Sequence, residues 1–173
     1  MIMGIRLRKF ALFVHVVFAV GWIGAVAAYL VLDVTVATSD DVQQLRAAWI
    51  AMGLITAWAI IPLAFWTLVT GLVMALGTKW GLFRHWWVII SLILTLLASL
   101  VLGSESRYIA QAAGVAVDPT SSDEAIRELS NTLLHSIGGL VVLLVVQVLN
   151  MYKPRGLTRY GWRKQQAAQA ASV

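Results

Sequence analysis

Cysteine is absent from the 173 residues. That excludes disulfides, thiolate metal sites, iron–sulfur clusters, cysteine-attached haem and a thiol nucleophile, so any redox chemistry must come from a bound cofactor. Charge is scarce as well: Asp, Glu, Lys and Arg make up 12% of the chain, about half the share in a soluble domain. Proline occurs three times. With 60% hydrophobic residues and a mean hydropathy of +0.83, disordered, collagenous and ordinary soluble readings fall away. Also missing are a Gly-rich phosphate loop, Gly-x-Ser-x-Gly, His-Glu-x-x-His, a Glu-x-x-His pair and a basic helix with interleaved aromatics.

The apolar residues fall into four blocks, near 9–32, 47–76, 85–103 and 131–152, each long enough for the roughly 20 residues a membrane helix needs. They predict an all-α, four-transmembrane-helix bundle in one integral membrane domain, 1–173. The second block is too long for a straight crossing, and Pro62 at its centre predicts a bend. The intervening segments are 33–46, 77–84 and 104–130. In the last of these, Ser121-x-x-Glu124 has capping-box form and sets the start of the last helix near Ser122, with the rest of the loop as a lid. The Ala/Gln-rich end, 165–173, is expected to be disordered.

Orientation follows from the cations. Ten of the thirteen Lys and Arg residues lie in the N-terminus, the 77–84 segment and the tail after Tyr152, whereas all eight Asp and Glu lie in the other two segments. Both termini are therefore expected in the cytoplasm of a multi-pass protein of a bacterial inner membrane. The pI of about 10 expresses this asymmetry and is no nucleic-acid signal; the basic tail suits anionic lipid headgroups.

Within the spans the ionisable residues are His15, His85 and His135, and no buried carboxylate or cation is expected beside them. Ionisable groups in a span mark a site by default, and three imidazoles without a carboxylate favour ligation over acid–base work. His15 lies 18 residues before Asp33 and His135 18 before Lys153, so each sits about 27 Å from the far face, in opposite leaflets. That argues against a shared metal atom within one chain. His85, at the depth of His15, either pairs with it across a haem iron or belongs to the aromatic belt of Trp80, Phe83, Trp86 and Trp87. Trp22 shares the face of His15 at seven residues' spacing, and Gly138 and Gly139 leave room for a flat ring one turn from His135. Met52 and Met74 are further candidate axial ligands. The small-residue pairs Gly21/Ala25 and Gly24/Ala28 suit close helix contact, including a homodimer.

The segment from Val14-His15 to Gly21-Trp22-Ile23-Gly24 resembles the first helix of copper-resistance-D-type proteins and of the haem-dependent protoporphyrinogen oxidases of bacterial membranes. What this resemblance implies is a haem-ligand role for His15. The lysine those oxidases carry deep in a later helix has no counterpart here, since no Lys or Arg occurs between Arg84 and Arg107. Most of residues 8–162 looks like a group of uncharacterised bacterial four-helix integral membrane proteins, through Gly71-Leu72-Val73, Leu76-Gly77-Thr78, Trp80-Gly81-Leu82-Phe83, His135 with Gly138-Gly139, and Tyr152-Lys153-Pro154-Arg155-Gly156-Leu157-Thr158.

The reading that results is a membrane protein binding haem b non-covalently through His15, His135 and His85 as metal ligands, with Trp22, Gly138 and Gly139 against the ring. Its role is electron transfer, or sensing of redox state or haem. The alternatives are a cofactor-free small permease or assembly partner, and a haem-dependent oxidoreductase.

Overall fold

A computed structural model describes residues 3–78 and 80–170. Four of its helical stretches are long and apolar enough to cross a membrane: Ile5–Thr38, Val42–Gly77, Trp86–Val117 and Leu133–Tyr152. The described residues contain no strand, and the chain has the architecture of a multi-pass membrane bundle.

Helix α1, Ile5–Thr38, runs six residues past the expected end at Leu32. No Gly or Pro occurs between Leu32 and Ser39, Asp33 finds partners inside the bundle, and the Thr35 and Thr38 hydroxyls donate to the carbonyls of Val31 and Val34. Ser39–Asp41 then suffice as the connection. Asp41 caps α2, Val42–Ile55, its carboxylate accepting from Gln43 N at 2.9 Å.

The second span bends, but through a π-helical turn at Thr56–Ile60 placed just before α3, Ile61–Gly77. Pro62 has no N–H to give the Trp58 carbonyl and its ring crowds that oxygen; widening the preceding turn relieves both. The bend changes the neighbours of the span: α2 packs chiefly on the third span and α3 on α1. Gly53 permits the first contact, since a Cβ there would stand 2.6 Å from that of Ala113.

Helix α4, Trp86–Val117, exceeds its expected end by four turns. Residues 104–117, assigned above to a loop, are its continuation, so the lid shrinks to 118–132. Arg46 holds its far end, donating to the carbonyls of Ala116, Asp118 and Ser121. The capping signal at Ser122 is real, its hydroxyl accepting from Ala125 N, but it opens only the five-residue α5, Asp123–Arg127. The last span, α6, starts later, at Leu133–Tyr152.

Hydrogen bonds gather both termini at one end of the bundle. Met3 N donates to Gly77 O, Trp86 N to Gly156 O and Thr158 N to Arg84 O. Helix α7, Arg159–Ala170, follows, so the expected disordered tail is helical as far as Ala170, while 171–173 lie outside the described residues. In cross-section the order is α1, the bent second span, α4, α6 and back to α1. Trp22, Tyr29, Trp49, Met52, Ile109 and Ile126 form its core in the half nearer the acidic loops. Met52, a candidate ligand above, is fully buried there.

Candidate ligand cavity

A cavity of about 340 Å³ lies among α1, the π turn, α4 and α6 and opens to the outside of the bundle. Ligand pockets start at about 300 Å³. Its wall is overwhelmingly apolar. Trp22 and Val26 come from α1, Leu97 and Leu102 from α4, and His135, Gly138, Gly139 and Leu143 from α6. Nothing lies within 4 Å of where a Cβ on Gly138 or Gly139 would stand, so these glycines keep part of the space empty.

Four of the six residues singled out from the sequence, His135, Trp22, Gly138 and Gly139, thus share one cavity. His15 and His85 do not join them. His15 lies on the α1–α3 contact, its Nδ1 2.9 Å from the Thr70 hydroxyl and its ring against Gly71. As that hydroxyl donates to Trp66 O at 2.6 Å, it accepts from His15, which assigns the proton to Nδ1. His85 is the residue before α4, with Nδ1 donating to the Trp80 carbonyl at 2.8 Å and its ring edge-on to Trp80. It therefore lies within the aromatic cluster of Trp80 and Trp87.

Two carboxylates also enter the spans, correcting the expectation that none would. Glu105, on the extended part of α4, lines the cavity with Oε2 3.7 Å from Nδ1 of His135. Asp33 is wholly buried. Its carboxylate accepts from Thr132 N at 3.0 Å, Thr132 Oγ1 at 2.9 Å and Ser136 Oγ at 2.8 Å. Since Thr132 spends its only hydroxyl proton on Asp33, Tyr29 donates to Thr132 Oγ1, at 2.7 Å. Tyr29, Thr132 and Ser136 line the cavity, so its acidic end is polar and its remainder oily. Sequence reasoning assigned Asp33 and Glu105 to loops because it ended both helices where hydropathy fell. The i, i+4 spacing of Tyr29 and Asp33 on one face was the signal available.

Thr56 adds a different feature. It is 3% exposed, lines the cavity from the π turn, and its hydroxyl has no hydrogen-bond partner. A buried hydroxyl without a partner is costly. Among the described residues no three His, Asp or Glu side chains converge as a metal cage. The site is suited to an apolar molecule with a few polar groups, and to a metal only where that molecule supplies most of the donors. Comparison with family models, curated proteins and solved structures yields no match for this chain.

Proposed function

We propose that the cavity holds haem b non-covalently, with His135 as axial ligand, and that the protein transfers electrons or senses redox state or haem. The observation that carries this reading is the assembly of His135, Trp22, Gly138 and Gly139 in one apolar slot. A porphyrin brings four of its own donors, so one imidazole is enough to attach it. Glu105 places a carboxylate 3.7 Å from Nδ1 of His135, an ion-pair distance longer than a hydrogen bond, and leaves Nε2 for iron. His15 lies outside the cavity, so in this reading it and His85 serve the bundle or a second site.

Both termini are assigned to the cytoplasm of a bacterial inner membrane, because the basic end of the bundle is the end that carries them. Gly24 and Ala28 are exposed on α1, on the face opposite the cavity-lining Trp22, Val26 and Tyr29, which suits a close homodimer contact that leaves the cavity to each chain.

The test is the visible spectrum of protein produced with ample haem. A Soret band that shifts on reduction is expected, lost in His135→Ala and in Gly138→Leu, which fills the slot, and kept in His85→Ala. A colourless parent, or a spectrum that His135→Ala leaves unchanged, refutes the reading.

A further inference from the structure

We infer that α7 is a docking surface for anionic phospholipid headgroups, independently of what the cavity binds. Its depth comes first. The Thr158 hydroxyl donates to Phe83 O at 2.6 Å and Thr158 N to Arg84 O at 3.0 Å, while Gly161 N donates to the same hydroxyl at 3.0 Å. The first turn of α7 is thereby held at the start of the third span, beside the exposed rings of Phe83 and Trp86. Exposed aromatic rings at the end of a membrane helix mark the headgroup level, so α7 starts at the bilayer surface.

Its rotation comes second. Gly161 is the buried residue of α7, and a Cβ on it would collide with the Arg84 carbonyl. At about 100° per residue, Arg159 and Arg163 point away from that contact, with Tyr160 and Lys164 to one side and Trp162 to the other. All five are exposed. Beyond its first turn α7 is packed on no other helix of the described chain.

Charge decides the occupant. Helix α7 carries three cations and no acid, Lys153 and Arg155 precede it, and every Asp and Glu belongs to the segments at the other end of the bundle. The countercharge must come from outside the chain, and the anionic material at this depth is lipid phosphate. Basic side chains with tyrosine and tryptophan on one short helix fit that layer.

Because the chain has no cysteine, Gln166→Cys gives a single site for a nitroxide on the full-length protein. In phosphatidylcholine nanodiscs the label should be mobile. Adding phosphatidylglycerol should slow it several-fold, high salt should reverse this, and Arg159→Gln, Arg163→Gln and Lys164→Gln together should abolish the response. These exposed positions leave the bundle intact, as the unchanged mobility of a second label at Ser130→Cys should show. Equal mobility in the two lipids, a lipid response that survives the triple change, or stronger immobilisation by an acidic peptide or RNA than by phosphatidylglycerol overturns the inference.

Discussion

Removing the Asp33 carboxylate should loosen the α1–α6 junction, and the size of the effect can be worked from its three hydrogen bonds. In Asp33→Ala the Ser136 hydroxyl keeps the Leu133 carbonyl at 3.2 Å, and the Thr132 hydroxyl can turn toward Tyr29. The amide of Thr132, the residue that precedes α6, has no such alternative. An orphaned buried amide costs about 1–3 kcal/mol, and the space left by the side chain adds roughly 1 kcal/mol. Hydrogen bonds within membrane helices fall at the low end because the unfolded helices also find partners, so about 2–3 kcal/mol is expected. Asp33→Asn keeps one acceptor for that amide and should cost roughly half as much. Reversible unfolding from bicelles by SDS, followed by tryptophan fluorescence, measures the totals. Amide hydrogen exchange at residues 132–136 locates them: protection should fall there and stay unchanged in α3. An Asp33→Ala protein as stable as the parent, or an Asn variant less stable than the Ala variant, would refute the assignment of Asp33 as an acceptor for the start of α6.

Two shorter predictions concern the acidic loop and the assembly. Hydrogen bonds from the Thr120 hydroxyl and amide hold the Asp118 carboxyl below the ordinary carboxylate range; a depressed value stabilises the turn above the unfolded pKa, and that contribution fades as pH falls through the folded one. NMR titration of the carboxyl should show this lowered midpoint, moving back toward the normal value in Thr120→Val, and a normal midpoint in the parent would contradict the geometry. Mass measurement in mild detergent should give a dimer for the parent and a monomer for Gly24→Leu; a monomeric parent would exclude the contact.

Hydropathy alone determined that this chain makes four membrane helices, because about 20 consecutive apolar residues have no other stable way to satisfy their backbone in lipid. The charge asymmetry between the two sets of loops was equally legible, as was a bend near Pro62. The pattern of a histidine one turn from two glycines was legible too, and the fold sets all three on one cavity. What only the tertiary structure decided is the polar end. Asp33 and Glu105 lie where hydropathy drops, and a falling average cannot distinguish a loop from helix turns whose charged groups are satisfied from a neighbouring helix. Asp33 is buried because residues about a hundred positions later, Thr132 and Ser136, supply its donors. Likewise the separation of His15 from His135 follows from rise per residue, but the side each ring faces was set by packing. Gly71 admits the His15 ring against α3, whereas His135 borders the space among α1, the π turn, α4 and α6. A local pattern reports which residues a helix exposes on one face; which partner meets that face is fixed by contacts distant in the chain.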